Sequence, residues 1–174
     1  MVIINEWLPN PEGADASAEW MELFNSGESP ALLAGWRIRT RSGKEFLFGD
    51  GIIPSRGYLV LNRKTTKLVL GNSEDGLGLY NENGVLVDQA NFHGAAAAGL
   101  SFSRTSLPET PVLSGRTGTQ FIFTQPTPGA ENNTKPTLAL LTNNYLADRP
   151  IVPAAPPSQI WFLAMGVALA LAAA

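Results

Sequence analysis

Short apolar runs recur through the first 132 residues, and clusters of Gly, Pro, Asn and Ser separate them. Such runs, spaced about 10–15 residues apart, are typical of β-strands joined by tight turns. The predicted strands are 2–8, 19–25, 32–40, 46–48, 58–61, 77–80, 84–88 and 121–123. Asn83 and Gly84 supply the positive φ that a hairpin between two of these strands needs. The pattern predicts an all-β fold, a sandwich or a barrel, for residues 1–132.

The composition supports this prediction and excludes several kinds of site. Seventeen glycines and thirteen prolines in 174 residues leave little room for long helices. The chain has no cysteine, which excludes disulfides, thiolate metal sites and thiol nucleophiles. The net charge of −3 is too small to indicate a class of partner.

The composition changes after Asn132. Residues 133–159 form a predicted linker, which carries several prolines near its end and is therefore semi-extended. Residues 160–174 contain no charged side chain and form a predicted apolar helix, about 22 Å long at about 1.5 Å per residue. Because the core of a bilayer is about 30 Å thick, we expect a transmembrane helix that is tilted or continues beyond these residues. Trp161 lies near its start, where an interfacial anchor is expected.

The apolar segment predicts that the membrane is a partner of this protein. The expected localisation is membrane-associated, with the domain outside the cytoplasm and the orientation left open. The alternative is a core helix or hydrophobic end in solution, which we disfavour because the segment is apolar on all sides. Met1 leads into the first strand without a signal sequence. We therefore also expect either a cytoplasmic domain with a tail anchor or a chain that extends further at its N-terminus.

Charge is unevenly distributed along the chain. Residues 1–36 carry six acidic side chains and no Lys or Arg, whereas residues 37–67 carry eight basic side chains against two acidic ones. The two segments could form complementary faces of one fold or two separate patches. The sequence leaves both interpretations open.

Three arginines alternate with uncharged residues along the third predicted strand. They are Arg37, Arg39 and Arg41. At a period of two they share one face, while Trp36, Ile38 and Thr40 share the other. Guanidinium groups about 7 Å apart could contact phosphates, which predicts an anion patch for a polyanionic partner such as nucleic acid, anionic lipid head groups or an acidic polymer. The alternative is a solvated outer face, partly neutralised by the acidic N-terminal segment.

Four carboxylates lie on or between the first two predicted strands. They are Glu6, Asp15, Glu19 and Glu22. If the strands pair antiparallel, their oxygens could converge on a hard cation such as Ca²⁺. No Asp-x-Asp-x-Asp spacing supports this, and the alternative is that Glu6 and Glu22 accept backbone hydrogen bonds. We therefore expect no obligatory cofactor and keep Ca²⁺ as a hypothesis.

The sequence predicts no catalytic site. A hydrolase triad would need the single histidine, His93, with Ser101 or Ser103 and a carboxylate, and no Gly-x-Ser-x-Gly motif occurs. We expect no small-molecule substrate. The tryptophans of the strands are expected in the core, with Trp7 the least certain because it borders a proline-rich loop.

The strand contents resemble those of the lamin tail domain family, in its prokaryotic type. The motifs are VIINE at 2–6, LPNP at 8–11, EWMELFN at 19–25, LAGW at 33–36, IPSRGYLVL at 53–61, Gly84 with Asp88, GLSFSR at 99–104 and TPGAEN at 127–132. The resemblance implies an immunoglobulin-like β-sandwich with a non-catalytic binding or scaffolding role. Filament formation is not implied, because no heptad repeat is present.

Two alternatives remain under this resemblance. Prokaryotic members of the family are usually accessory modules of secreted or membrane-associated proteins, often beside hydrolase or nuclease domains. The chain could therefore be a soluble protein- or nucleic-acid-binding module, or the accessory domain of a larger nuclease or hydrolase.

Overall fold

Strands account for most of the regular structure in residues 1–105 and 121–134, which are the parts of the chain that the computed structural model describes. The strands are β1 (Val2–Leu8), β2 (Trp20–Asn25), β3 (Ala31–Leu32), β4 (Arg37–Thr40), β5 (Glu45–Leu47), β6 (Ile52–Ile53), β7 (Tyr58–Asn62), β8 (Gly76–Tyr80), β9 (Leu86–Asn91), β10 (Ser101–Arg104) and β11 (Phe121–Thr124). Two single-turn helices of these residues, α1 (Asp15–Ala18) and α2 (Arg63–Thr66), lie in the connections. The predicted all-β class is confirmed.

Three antiparallel sheets form within the described residues. The first has five strands in the order β11-β10-β1-β2-β7, the second has four in the order β5-β4-β8-β9, and β3 pairs with β6. Buried side chains of both larger sheets, such as Leu23 of β2 and Leu79 of β8, belong to one hydrophobic cluster. The fold is therefore a sandwich in which the two larger sheets share a core.

The first strand is buried along its whole length, from Val2 to Leu8. Trp7 is fully buried, and its ring centroid lies 5.0 Å from that of Phe102 and 5.7 Å from that of Phe121. The prediction that Trp7 belongs to the core is confirmed. Trp36, which was expected to point inward, is half-buried and packs against the same core.

The predicted hairpin between β8 and β9 is confirmed. The side-chain oxygen of Asn81 accepts hydrogen bonds from the backbone N–H groups of Asn83 (3.1 Å) and Val85 (2.9 Å). Gly84 adopts a φ of 74°, in the left-handed region that glycine favours. The second strand starts at Leu86 rather than at residue 84 and extends to Asn91.

The single strand predicted over residues 32–40 is wrong, because a turn divides it into β3 and β4. The N–H of Trp36 donates to the carbonyl of Leu33 (2.9 Å), and Gly35 has a φ of 79°. A Cβ on Gly35 would lie 3.1 Å from Cβ of Glu82, so the glycine also permits a close approach of the β8–β9 turn. Apolar residues on both sides of the glycine concealed this break.

Two strands, β6 and β10, were not predicted as strands. All four residues of β10 are buried, although three of them are Ser101, Ser103 and Arg104. Burial of polar residues gives no apolar signal in the sequence, and only their distant hydrogen-bond partners explain it.

The C-terminal predictions concern residues that the structure largely does not describe. Beyond residue 134, the predicted linker 133–159 and the predicted helix 160–174 lie outside the described residues. Among the helices of the described residues, none has the length and apolar character needed to cross a membrane.

Candidate binding surfaces

The arginines predicted as an anion patch lie on β4 and at the residue after it. Ile38 and Thr40 are buried. Arg39 and Arg41 are exposed, and Arg37 is half-buried. The residues therefore alternate as the period of two predicts.

Two of the three guanidinium groups are already paired with carboxylates. Nε of Arg39 donates to Oε1 of Glu45 (2.6 Å), because the pairing of β4 with β5 places these residues side by side. Nη2 of Arg41 lies 3.0 Å from Oε1 of Glu74. The expectation that the acidic N-terminal segment would neutralise this face is therefore corrected: these counter-charges come from β5 and from the loop before β8.

Gly78 leaves room for the ring of Tyr80 on the outer face of the four-stranded sheet. A Cβ on Gly78 would lie 2.9 Å from the ring of Tyr80, so the ring lies along its own strand over the glycine. The guanidinium carbon of Arg39 lies 5.0 Å from the centroid of that ring, a cation–π contact. Leu47, 56% exposed, pairs in register with Arg37 on the same face. We call this surface (Arg37, Arg39, Glu45, Leu47, Gly78 and Tyr80) the Arg–Tyr face.

The acidic and basic segments of the sequence do meet elsewhere in the fold. Nε of Arg56 donates to Glu28 (3.2 Å), and Nη1 of Arg63 donates to Glu19 (3.0 Å). The acidic and basic segments therefore pair at these two positions, as the interpretation of complementary faces predicts.

The carboxylates considered for Ca²⁺ are divided among separate surroundings. Glu19 is fully buried and accepts hydrogen bonds from Arg63 and from the N–H of Leu70 (3.1 Å). Burial is the main cause that raises the pKa of Glu19, against the lowering effect of these donors. Asp15 instead accepts a hydrogen bond from Asn72 (3.4 Å).

Glu6 is fully buried on the outer side of the five-stranded sheet. It accepts hydrogen bonds from the hydroxyls of Ser101, Ser103 (3.0 Å) and Thr127 (3.0 Å). The N–H of Thr127 also donates to it (3.1 Å). A buried carboxylate is tolerated when donors surround it in this way.

Glu22 lies opposite Glu6 in the register of β1 and β2 and is also fully buried. It accepts hydrogen bonds from the side-chain amide of Asn5 (2.8 Å) and from the N–H of Gly129. Burial raises the pKa of Glu22, and the nearby charge of Glu6 adds to this effect. The two carboxylates therefore hold the segment 125–132 across the sheet.

The predicted convergence of four carboxylates does not occur. Within residues 1–105 and 121–134, no group of three or more His, Cys, Asp or Glu side chains is placed to hold a metal ion. The physical reason is that oxygens of Glu6, Glu19 and Glu22 accept hydrogen bonds from protein donors. The interpretation of Glu6 and Glu22 as backbone acceptors agrees with these contacts.

The residues considered for a hydrolase triad are not brought together. Ser101 and Ser103 are buried and hydrogen bonded to Glu6. His93 has a side chain that is 80% exposed, and its Nδ1 lies 3.3 Å from Glu74. The hydrogen bonds of the two serines to Glu6 are therefore structural, and His93 takes no part in them.

A buried ion pair joins the two large sheets. Nη2 of Arg104 donates to Asp88, and Nε of Arg104 donates to the carbonyl of Ile4 (2.7 Å). The N–H of Ile4 donates to Asp88 (2.8 Å). Burial raises the pKa of Asp88 and lowers that of Arg104, while their mutual attraction opposes both changes. Asp88 and Arg104 occur in the sequence motifs, but nothing local in the sequence shows that they pair.

A cleft of about 370 Å³ opens beside the paired strands β2 and β7. We call it the aromatic cleft; residues that line it include Phe24, Arg56, Tyr58, Glu131, Asn132 and Thr134. Burial raises the pKa of the Tyr58 hydroxyl, and the charges of Glu22 and Glu131 raise it further. The sequence did not predict this site, because its walls come from separate segments of the chain.

The fold and these surfaces define a class of protein: an immunoglobulin-like sandwich whose buried polar residues serve structure. A family model described as Lamin Tail Domain matches residues 1–94, more than half of the chain. The chain belongs to the lamin tail domain family, as the motifs predicted. This family consists of non-enzymatic, immunoglobulin-like modules that generally mediate protein interactions. No curated protein and no solved structure matches the chain.

Proposed function

We propose that this chain is a non-catalytic binding module that contacts a protein partner through the Arg–Tyr face. The observation that carries the proposal is the stacking of Arg39 on Tyr80 above Gly78, next to the exposed Leu47. Tyrosine and arginine are enriched in the energetically important centres of protein interfaces. A surface that combines both with an exposed leucine suits a protein partner.

The charges of this region favour a protein partner over a free polyanion. Glu45 and Glu74 neutralise Arg39 and Arg41, and among these five groups Arg37 leaves an excess of one positive charge. Nucleic acid would require several unpaired cations along a groove. A protein surface of mixed charge with an acidic excess matches this arrangement better.

We further propose that residues 160–174 hold the module at a membrane, with the sandwich outside the cytoplasm. This rests on the sequence, which has no charged side chain over these fifteen residues and a tryptophan near the start of the segment. The linker 133–159 would then separate the module from the bilayer.

The partner contact can be tested by photo-cross-linking in the source cells. A photoreactive amino acid at position 47 is expected to give an adduct with a discrete protein, and Tyr80→Ala is expected to abolish it. The same amino acid at position 62, exposed on the edge strand β7, serves as the matched control. Equal adducts at both positions, or none at position 47, would contradict the proposal.

The anion-patch alternative has its own test. Replacement of all three arginines, Arg37, Arg39 and Arg41, by alanine should leave binding to DNA, RNA and anionic vesicles unchanged if the partner is a protein. A salt-sensitive affinity for one of these polyanions that the triple variant loses would favour the alternative function.

Membrane attachment can be tested by fractionating the full chain beside a version that ends at Arg149. We expect only the full chain to pellet with membranes and to resist both high-salt and alkaline washes. Pelleting of both versions with release by salt would instead indicate that Arg37, Arg39 and Arg41 contact the membrane. If neither version pellets, the anchor proposal is wrong.

We infer that binding requires no metal or other cofactor. The donors that surround Glu6, Glu19 and Glu22 support this, because bound Ca²⁺ would have to displace them. A Ca²⁺ titration is expected to leave the melting temperature unchanged. A higher melting temperature in Ca²⁺ that the Asp15→Asn variant loses would revive the metal hypothesis.

A further inference from the structure

We propose that the aromatic cleft binds a neutral saccharide. The cleft belongs to the five-stranded sheet, whereas the Arg–Tyr face belongs to the four-stranded sheet, so this proposal is independent of the partner contact proposed above. Its volume of about 370 Å³ is that of a small-ligand site.

One wall of the cleft is aromatic. Phe24 and Tyr58 are register partners across β2 and β7, and their rings stack with centroids 4.7 Å apart and an interplanar angle of 28°. Both side chains are half-buried, so each keeps ring surface at the cleft. An aromatic surface packs well against the C–H groups on the face of a sugar ring, because its π-electrons attract their partial positive charge.

The polar groups of the cleft combine donors and acceptors. Arg56 brings N–H donors, Glu131 brings carboxylate acceptors, and the hydroxyls of Tyr58 and Thr134 can act as either. A sugar hydroxyl is also both donor and acceptor, so a polyhydroxylated ligand can use such a mixed set. An apolar or singly functional ligand would leave part of it unsatisfied.

The cleft does not require a charged ligand. The Arg56 guanidinium is paired with Glu28, and the Arg104 guanidinium is paired with Asp88. Each cation that lines the cleft therefore has a carboxylate of its own, which disfavours phosphates and other anions as ligands. A neutral ligand leaves both ion pairs intact, and its hydroxyls can donate hydrogen bonds to the Glu131 carboxylate.

The backbone that presents Arg56 is strained and firmly held. Arg56 has a φ of 55°, a left-handed conformation that is unfavourable for a non-glycine residue. The fully buried amide of Asn25 fixes this turn by donating to the carbonyls of Ile53 (3.2 Å) and Pro54 (3.1 Å). Residues with a strained backbone that such contacts hold in place cluster at binding sites, where the backbone fixes the direction of the side chain. A glycine at position 56 would relieve the strain but would remove the donor.

The floor of the cleft is also rigid. Nδ2 of Asn132 donates to the carbonyl of Arg104 (2.9 Å) and to the carbonyl of Asn5 (3.1 Å). These bonds fix Asn132, and with it the adjacent Glu131, before any ligand binds. A preorganised site loses less entropy when it captures a flexible saccharide.

Calorimetric titration of the full chain with neutral oligosaccharides tests the proposal. The probes are cellohexaose, xylohexaose, mannohexaose and N-acetylchitohexaose, each also compared with penta-lysine and with an oligogalacturonate. We expect at least one neutral probe to bind, and Tyr58→Ala to weaken it by about tenfold or more. Val85→Ala, at an exposed apolar residue of the β8–β9 turn, should leave the affinity unchanged.

The Arg56→Gly variant distinguishes a loss of ligand binding from a loss of stability. Because glycine accepts the left-handed φ, we expect this variant to melt at the same temperature as the natural chain or higher, while its affinity for the neutral probe falls. Failure of all four neutral probes to bind would overturn the proposal. Binding that neither Tyr58→Ala nor Arg56→Gly weakens, or binding of only the charged probes, would overturn it as well.

Discussion

Single buried polar residues of this fold each hold several distant groups. Glu6 is inaccessible to solvent, and its carboxylate accepts hydrogen bonds from two serines and from Thr127 instead of from water. A buried carboxylate without donors would cost several kcal/mol, and buried donors without the carboxylate would be unsatisfied in turn. The stability of the sandwich therefore depends on a residue that the sequence alone could also assign to a metal.

Replacement of Glu6 by alanine should destabilise the domain by about 3–5 kcal/mol, because several buried donors lose their acceptor together. The matched control is Glu28→Ala, which removes a carboxylate whose side chain is 80% exposed and should change stability little. Urea denaturation of both variants measures the difference. Equal midpoints for the two variants would show that the Glu6 network does not stabilise the fold.

Three buried carboxyls should make the domain tolerant of mild acid. Burial raises the pKa of Glu19, Glu22 and Asp88 above their ordinary values. The folded state then binds protons more readily than the unfolded state. Their contribution to the free energy of unfolding therefore rises as the pH falls from the raised folded values toward the ordinary value of about 4.

We therefore expect the urea midpoint not to fall between pH 7 and about pH 5. Titration of the carboxyl ¹³C shifts should give midpoints above the ordinary values for all three residues. Midpoints below those values would reverse the sign of the prediction.

The β8–β9 hairpin is the element that local sequence specifies most completely. Asn81 satisfies two backbone donors of the turn, and Gly84 adopts the positive φ that the turn requires. In contrast, β10 forms a strand because it pairs with β1 and β11 and because its serines are buried against Glu6. The first kind of element is predictable from a few neighbouring residues, and the second is not.

Gly84→Ala should cost about 1 kcal/mol or more, because alanine disfavours a φ of 74°. An added Cβ would meet no atom within 4 Å, so the cost is conformational and not steric. Gly49→Ala is the matched control, since Gly49 is equally open but lacks a left-handed φ. A thermal melt in which both variants behave alike would contradict this account of the turn.

At the scale of the whole molecule, the segment 125–132 closes the outer side of the five-stranded sheet. Glu22 accepts a hydrogen bond from the N–H of Gly129, and Glu6 accepts one from the N–H of Thr127. The side-chain amide of Asn132 donates to the side-chain oxygen of Asn5 and to the carbonyl of Arg104. The face of the sheet that would otherwise meet water is thus covered by the chain itself. This explains why β1 is buried on both sides.

Asn132→Ala should destabilise the fold by about 2 kcal/mol, because two backbone carbonyls and the side-chain oxygen of Asn5 lose a common donor. The neighbouring Glu131→Ala, at an exposed residue, should change the urea midpoint much less.

The same contacts predict that Asn132, which begins an Asn-Asn-Thr sequon, stays unglycosylated in the folded chain, as mass spectrometry can check. Glycosylation at Asn132 with unchanged stability would contradict this role.

The sequence by itself determined the positions of most strands, the hairpin, the alternation on β4 and the family, because periodicity and turn chemistry are properties of neighbouring residues. It also excluded cysteine chemistry. Only the tertiary structure decided that Glu6 binds donors as far away as Thr127, that Asp88 pairs with Arg104, and that the 32–40 run breaks at Gly35. It likewise assembled the Arg–Tyr face and the aromatic cleft. The physical reason is that burial obliges each polar group to find a partner, and that partner can lie anywhere along the chain.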